Sequence, residues 1–353
     1  MMSMGQNTTP NMMNISPNTS QNMISLNSNN VAFNIKPKIS SLIRVLQCLY
    51  GCFEDIGPIN CLKYLIKESY KYKNNKYSLS LNILDILPQS INPDNNFINS
   101  VYNLRSKINM QTNLFSQNKE VSPNLIFFYI LKIIDDEFKN EKIPYNNNVF
   151  EGLKTIEKIP QSSLPLILGK TKEFEELGSP CYNNFYYLIL DAIKCPKCNG
   201  ILAVKDNTIL GSYFLPLPGG FDENVTNLIK YYMNEECENT NQNYICKCGI
   251  YKGYGKAEKA FLNTPKYLFM DFEGQSKKRK HLDEKLDLTE YKLTDRGPNQ
   301  YYLYAFIVKS YEKYVAFVKK GSSWVSYSDE ITKNQNNFIS LDCIPYYAIY
   351  RGI

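Results

Sequence analysis

Two close pairs of cysteines place the strongest constraint on how this chain can fold. Cys195 and Cys198 form the first pair (CPKC), and Cys246 and Cys248 form the second (CKC). Each pair fits a tight turn, and Pro196 supplies turn chemistry in the first. Four thiolates brought together as a tetrahedron are a ligand set of structural zinc sites, with Zn–S distances near ~2.3 Å. The four cysteines therefore predict a structural zinc ion held between two turns that lie far apart in the sequence.

The cysteine pattern leaves alternatives open. The second pair is CxC rather than CxxC, which also fits a ribbon that has lost its metal and kept the cysteines as turn residues. Cys237 is a substitute ligand in a third arrangement. A redox function of CPKC has less support, because no βαβ pattern follows it. Convergence of the four sulfur atoms in the structure would favour the metal site.

The period of the apolar residues changes near residue 175. Before this point, residues 40–53 (SSLIRVLQCLYGCF) predict a helix with Ser40 as its N-cap. A second helix is expected from Asn124 to Lys139. After this point, short alternating runs such as KYLFMDF and YYLYAFIV predict strands, interrupted by one helix that Asn224 caps. Helices followed by mostly antiparallel strands predict an α+β fold.

Composition narrows the class of protein. The 353 residues are 43% hydrophobic with a net charge of +6, and the charges of both signs are interspersed. This balance is typical of a globular protein and favours solubility over nucleic-acid binding. No apolar run is long enough to span a bilayer, and the N-terminus has no secretory signal. A cytoplasmic or nuclear location is therefore expected, and the KKRK run at 277–280 is interpreted as a solvated loop in preference to a nuclear localisation signal.

Three blocks of the sequence resemble the ubiquitin-specific protease family of cysteine peptidases. The stretch from FLPLPGG, through the turn that holds the second cysteine pair, to KYLFMDF is similar to the family's fingers region. The stretch YYLYAFIVKSYEKYVAFVKKGSSWVSYSDE is similar to its last block, and LQCLY is similar to the helix that starts at the nucleophile. The resemblance implies a papain-related fold: a disordered tail (1–30), a helical thumb (about 31–175), zinc-ribbon fingers (176–262) and an antiparallel β palm (263–353).

The resemblance also locates the family's three triad positions, and none of them carries the family's residue. Counting back seven residues from the helix glutamine places the nucleophile at Ser40, although counting forward from Asn34, the oxyanion-stabilising equivalent, falls one residue earlier. The position of the histidine base is Lys313, and that of the orienting carboxylate is Ser328. The only histidine, His281, lies in a charged run predicted to be a solvated loop. The resemblance therefore implies a protein whose cysteine-protease triad is lost.

A retained scaffold without its triad implies a binding or scaffold function, with ubiquitin or a ubiquitin-like protein as ligand and a larger protein complex as setting. Gln47, Tyr314, Trp324 and Asp329 are the candidate binding residues. Direct binding of nucleic acid or of a membrane is not expected. Two alternatives remain: an active deubiquitinase with a non-standard catalytic set, such as Ser40 with Lys313 as its base, and a zinc-ribbon adaptor in RNA processing.

Overall fold

The computed structural model describes most of the chain from residue 39 onward. The described residues are 39–54, 78–91, 93–115, 121–138, 164–176, 181–198, 200–204, 210–218, 223–234, 243–250, 252–254, 256–272, 279–294, 297–310, 313–328, 332–335 and 342–353. The predicted tail at residues 1–30, together with Asn34, Cys237 and Asp329, lies outside them.

The first half of the chain is helical, as its periodicity predicts. The helices are α1 (Ser40–Glu54), α2 (Ser78–Ile86), which runs into a 3-10 turn (Leu87–Ile91), α3 (Asn95–Thr112), α4 (Pro123–Phe138), α5 (Leu164–Glu176) and α6 (Tyr182–Phe185). Ser40 is the first helical residue of α1 rather than the cap that precedes it. Helix α4 begins at Pro123, one residue earlier than predicted, because proline needs no N–H partner in the first turn.

The second half consists mainly of strands. They are β1 (Tyr187–Lys194), β2 (Ile201–Val204), β3 (Leu210–Ser212), β4 (Phe214–Pro216), β5 (Asn243–Ile245), β6 (Lys252–Tyr254), β7 (Lys256–Asn263), β8 (Tyr267–Asp271), β9 (Lys280–His281), β10 (Lys285–Asp287), β11 (Gln300–Ser310), β12 (Lys313–Lys320), β13 (Ser323–Tyr327), β14 (Thr332–Gln335), β15 (Asp342–Cys343) and β16 (Pro345–Gly352). Helix α7 (Val225–Asn234) interrupts them, and the Asn224 side chain accepts a 2.8 Å hydrogen bond from the Asn227 N–H, which confirms Asn224 as its cap.

Two sheets organise these strands. The large sheet runs β14-β13-β12-β11-β16-β8-β4, with β10 also paired to β11, and all its pairs are antiparallel except β4 with β8. In the smaller sheet, β1 pairs with β7 on one side and with β2 and β3 on the other. Two further antiparallel pairs, the hairpin β5–β6 and the long-range pair β9–β15, form separate two-stranded sheets. The α+β prediction is therefore confirmed.

The core lies between the helices and one face of the large sheet. Helix α1 packs against β12, and α4 packs against β16. Phe127 of α4 contacts two sheet rings, at centroid distances of 5.1 Å from Phe269 and 4.6 Å from Tyr347. Successive residues of β16 are buried on both faces, which is the pattern of a central strand. The central strands are therefore covered on both faces, and Phe127 of α4 packs on one of them.

One predicted loop is a strand. His281 lies in β9, where it pairs with Asp342, although its side chain is exposed as the solvated interpretation requires. Lys280 beside it is only 1% exposed, so the solvated-loop interpretation of KKRK is wrong at this residue. Among the described helices, none is long and apolar enough to cross a bilayer.

Candidate metal centre and candidate binding cleft

Each cysteine pair lies at the end of a β-hairpin. The first turn joins β1 to β2, where Lys194 pairs with Ile201, and the second joins β5 to β6. The Cys195 N–H donates to the Gly200 carbonyl at 2.8 Å, which closes the first turn. The Gly249 N–H donates to the Cys246 carbonyl at 3.0 Å, and Gly249 has a φ of +72°, which glycine adopts without strain. The sequence thus forms both tight turns that were predicted.

The two turns bring their four sulfur atoms together. The Sγ atoms of Cys195, Cys198, Cys246 and Cys248 all lie within 4.8 Å of one another. Two of them, from Cys198 and Cys246, are 3.5 Å apart. A tetrahedral zinc ion with Zn–S distances near ~2.3 Å requires sulfur atoms about 3.8 Å apart. The geometry fits such an ion, so the four cysteines can hold a metal without Cys237.

Two of the four cysteines have shifted pKa values that a bound cation would change. Burial opposes ionisation of Cys195, but the N–H groups of Lys197 and Cys198 stabilise its thiolate and lower its pKa to about 7. The N–H of Cys248 favours the Cys246 thiolate, yet burial and the neighbouring thiols raise its pKa to about 12. The Cys195 thiolate therefore forms readily, whereas the Cys246 thiol stays protonated. A bound cation would lower the pKa of Cys246 and stabilise its thiolate.

A salt bridge joins two paired strands of the smaller sheet beside the first cysteine turn. The Lys194 ammonium, at the end of β1, lies 2.8 Å from the Glu258 carboxylate of β7, and both side chains are largely buried. This bond connects the strand that enters the first cysteine turn to the strand that leaves the second hairpin. The salt bridge therefore reinforces the pairing of β1 with β7 beside the first cysteine turn.

The positions predicted to replace the catalytic triad lie on adjoining elements. Ser40 is the first residue of α1 and is 1% exposed. Lys313 is the first residue of β12, where it pairs with Ser310, and Ser328 directly follows β13 and is half-buried. Because α1 packs against β12 and β12 pairs with β13, the fold groups the three elements. The roles of these residues remain predictions.

The candidate binding residues within the described chain make contacts inside the protein. The Gln47 amide donates to the Ser90 carbonyl at 3.0 Å, so it ties α1 to the 3-10 turn. Tyr314 is buried against Tyr346, with centroids 5.2 Å apart and rings perpendicular. Trp324 is half-buried against Phe306 at 5.4 Å. These internal contacts do not test the predicted role of the three residues in ligand binding.

A buried arginine beside this region is a feature that sequence reasoning missed. Arg44 of α1 is 1% exposed, and its guanidinium donates to the Gln47 side chain at 2.6 Å. The i, i+3 spacing of Arg44 and Gln47 within an apolar helix was the available signal. Arg44 also lies close enough to Cys48 and Tyr327 to favour their ionised forms. The charge of Arg44 therefore acts both on Cys48 of α1 and on Tyr327 of β13 in the palm.

Cys48 is placed as a core thiol rather than as a nucleophile. It is fully buried on α1. Burial raises the pKa of Cys48 to about 12, against the smaller opposing effects of a Tyr347 hydrogen bond and the Arg44 charge. A thiol with this pKa is protonated at neutral pH, and the thiolate is the nucleophilic form. Cys48 therefore has neither the exposure nor the ionisation of a catalytic cysteine.

Comparison with known proteins defines the class of fold. No protein-family model and no curated protein matches the sequence. Solved structures do match. The SAGA DUB module Ubp8/Sgf11/Sus1/Sgf73 bound to ubiquitin aldehyde aligns with a TM-score of 0.60 at 14% identity, covering 91% of this chain and 69% of the matched chain. A form of the module bound to monoubiquitin aligns with a TM-score of 0.59 at 14% identity and the same two coverages.

A yeast SAGA DUB module with a mutant Sgf73 aligns with a TM-score of 0.58 at 12% identity, covering 92% of this chain and 68% of the matched chain. At these identities the similarity establishes the fold. That fold is the ubiquitin-specific protease domain, with a helical thumb, a cysteine-bearing ribbon as fingers and a β palm. The fold inferred from the sequence resemblance is therefore confirmed.

Proposed function

We propose that this protein binds ubiquitin or a ubiquitin-like protein on a ubiquitin-specific protease scaffold and does not cleave it. The proposal is carried by one combination: the chain has the fold of a deubiquitinase, while the triad-equivalent positions are Ser40, Lys313 and Ser328. Two of the similar structures hold ubiquitin or ubiquitin aldehyde. Residues outside the triad form most of such a binding surface, so binding can outlast the chemistry.

The residues at the three positions do not make up a cysteine-protease mechanism. A serine hydroxyl at position 40 needs a base to accept its proton, and a lysine serves as that base only when its pKa is strongly lowered. Ser328 carries no charge with which to orient a base. The chain's only histidine lies on β9, in a separate two-stranded pair, rather than on β12. The proposed function of the protein is therefore to bind ubiquitin or a ubiquitin-like protein without cleaving it.

The proposed ion at the four cysteines is a structural zinc. All four ligands come from the protein, which leaves no open position for a substrate or water. Zinc there would fix the two hairpin turns and with them the shape of the fingers. Its chemical contribution is to neutralise the thiolates and crosslink the turns.

We further propose that the protein acts inside a larger assembly in the cytoplasm or nucleus. The similar structures are of modules in which Ubp8 is accompanied by Sgf11, Sus1 and Sgf73. A scaffold that binds without catalysis gains a function when it positions its ligand for other subunits. An adaptor in a protein complex fits this chain better than a nucleic-acid binder, because most aromatic residues of its described strands are buried in the core.

A ubiquitin-ester cleavage assay tests the absence of catalysis. The native chain is expected to show no turnover above the rate of a Ser40→Ala control. A triple variant, Ser40→Cys with Lys313→His and Ser328→Asp, tests whether those positions are the triad equivalents, and its turnover should exceed that of each single variant. Clear turnover by the native chain that Ser40→Ala abolishes would establish the alternative, an active enzyme with a non-standard catalytic set.

A further inference from the structure

The four cysteines of the metal centre differ in their exposure to solvent. Cys195 is fully buried, Cys246 is only 6% exposed, and Cys248 is half-buried. Cys198 is the exposed member of the cluster. Because oxidation of a cysteine depends on its thiolate character and on its accessibility, Cys198 is the member that a small oxidant in solution reaches first.

The glycine two residues later leaves the Cys198 sulfur atom uncovered on one side. A Cβ atom placed on Gly200 would lie 3.3 Å from the Cys198 Sγ atom. Its chain neighbours aside, it would meet no other atom of the described residues within 4 Å. Glycine at this position therefore spares the sulfur atom a contact that any other residue would make.

A second sulfur atom lies beside Cys198 on the other hairpin. The Sγ atoms of Cys198 and Cys246 are 3.5 Å apart. Cys198 belongs to the turn between β1 and β2, whereas Cys246 belongs to the turn between β5 and β6. A covalent bond between these two sulfur atoms would therefore join the same two hairpins that a zinc ion joins.

We propose that Cys198 is a site of oxidation by hydrogen peroxide, and that the reaction ends in a disulfide with Cys246 and the release of zinc. The proposal rests on the zinc site proposed above and does not depend on ubiquitin binding. Its geometric basis is the exposure of one sulfur atom and the position of a second beside it on the opposite turn.

The reaction takes place in two steps. The Cys198 thiolate attacks one oxygen of the peroxide, the O–O bond breaks, and hydroxide leaves, which produces a sulfenic acid on Cys198. The Cys246 thiolate then attacks the Cys198 sulfur atom and displaces a second hydroxide, which forms the S–S bond. The two thiolates together lose two electrons to the peroxide, and two protons from solvent convert the hydroxides to water.

The disulfide is incompatible with the metal site. Zinc is bound by thiolates, and only those of Cys195 and Cys248 remain after the reaction, which is half of the tetrahedral set. The ion is therefore released as Zn²⁺, without a change in its oxidation state. The bonded sulfur atoms are ~2.05 Å apart, compared with about 3.8 Å around a zinc ion, so the two turns move closer together.

The test is treatment of the zinc-loaded native protein with hydrogen peroxide. A chromogenic chelator measures the released zinc, and mass spectrometry of peptides from the unreduced chain locates the disulfide. We expect release of about one zinc per chain together with a Cys198–Cys246 disulfide. A phosphine reductant with added zinc should restore the metal content. Zinc that stays bound while the half-buried Cys343 thiol is oxidised, or a disulfide confined to Cys195 and Cys198, would overturn the proposal.

The same experiment separates this proposal from the one on which it rests. A native chain that holds no zinc before treatment would contradict the metal site itself, and the release of zinc would fall with it. A chain that holds zinc and keeps it in peroxide would contradict the oxidation site alone.

A variant that keeps all four thiols tests the role of the exposed sulfur atom. Gly200 does not have a positive φ, so alanine fits its backbone, and the added methyl group would cover the Cys198 Sγ atom. Gly200→Ala should slow zinc release at least about threefold, because the rate depends on access to the thiolate. The matched control is Gly169→Ala on α5, where the added atom has no neighbour of the described chain within 4 Å.

The control variant should release zinc at the native rate. Zinc content and circular dichroism before treatment check that both variants are folded and loaded. Release at the native rate from Gly200→Ala, or equal slowing in Gly169→Ala, would contradict the role given to the exposure of Cys198.

Discussion

At the scale of the residue, Gly297 shows how one backbone angle fixes a local structure. Its φ is +72°, and a Cβ atom there would collide with the Thr264 backbone carbonyl. The same turn is held by the Thr264 hydroxyl, which donates to the Pro298 carbonyl at 2.7 Å, and by Lys292, which donates to the Gly297 carbonyl at 2.7 Å. The turn therefore depends on the absence of a side chain.

Replacement of this glycine should destabilise the protein. We expect Gly297→Ala to lower the free energy of unfolding by about 3 kcal/mol, from backbone strain and the steric collision together. The control is Gly321→Ala, at a φ of +60° with open space around the new atom, which should cost about 1 kcal/mol. Urea unfolding measures both, and equal losses would contradict the role given to the collision.

The cap of helix α3 gives a second prediction at this scale. The Asp94 carboxylate accepts a 2.7 Å hydrogen bond from the Phe97 N–H at the start of the helix. Asp94→Ala should lower the free energy of unfolding by about 1 kcal/mol, while Asp94→Asn, which keeps an accepting oxygen, should cost much less. Thermal unfolding followed by circular dichroism distinguishes the two. A larger loss in the asparagine variant would mean that charge, and not the cap, matters.

Single residues were predictable from sequence where their chemistry is local. The proline and the cysteines of the two cysteine turns could be interpreted from residue type and spacing. The burial of Arg44 and Lys280 could not, because it depends on which elements cover them, and charged side chains are usually exposed. Helix periodicity placed Arg44 beside the apolar stripe but could not show that the palm closes over it.

At the scale of the element, α1 should make the protein sensitive to alkaline pH. Burial raises the pKa of the Cys48 thiol from 9.0 to about 12 and that of Tyr327 from 10.0 to about 12. A raised folded-state pKa means that the native state holds its proton more tightly than the unfolded chain. The contribution to stability is therefore complete below about pH 9 and is lost as the pH rises toward 12.

The measurement is the urea midpoint between pH 8 and pH 11. The midpoint should fall above about pH 9, and Cys48→Ala, although less stable throughout, should show a shallower fall because one of the linked protons is gone. The control is Cys343→Ala, whose thiol is only half-buried in β15. A fall of identical slope in Cys48→Ala and the native chain would contradict the linkage.

The fingers give the second prediction for an element. Purified protein should contain about one zinc per chain, since four thiolates satisfy one tetrahedral ion. Cys195→Ser should lose the metal and raise hydrogen exchange in β1, β2, β5 and β6. The large sheet should stay protected because helices α1 and α4 pack against it. Cys343→Ser, outside the cluster, is the matched control and should retain the ion. Full zinc content in Cys195→Ser would exclude this ligand set.

Elements were predictable in proportion to their length and periodicity. Helix α1 and strands β8, β11 and β12 carry strong patterns and lie within a residue or two of their predicted bounds. Strand β9 was missed because two residues cannot show an alternation. The parallel pairing of β4 with β8 was also invisible, since each strand taken alone looks the same in a parallel or an antiparallel pair.

At the scale of the whole molecule, the order of patterns predicted the fold class, and the family resemblance supplied its topology. Composition cannot tell that β16, at the end of the chain, lies between β8 and β11. That arrangement is fixed by aromatic packing between distant segments, such as Phe127 with Phe269 and Tyr347. The candidate binding residues are positioned by the same long-range packing, so they could be proposed by resemblance but not placed by periodicity.

The central claim is that the deubiquitinase fold still binds its ligand after the loss of the triad. The most direct measurement is a titration of isotope-labelled ubiquitin with the native protein, followed by two-dimensional NMR. We predict saturable chemical-shift changes in the hydrophobic patch and the C-terminal tail of ubiquitin, and no cleavage of the ubiquitin polypeptide. The absence of any shift at high protein concentration would contradict ubiquitin binding and direct attention to another partner for this fold.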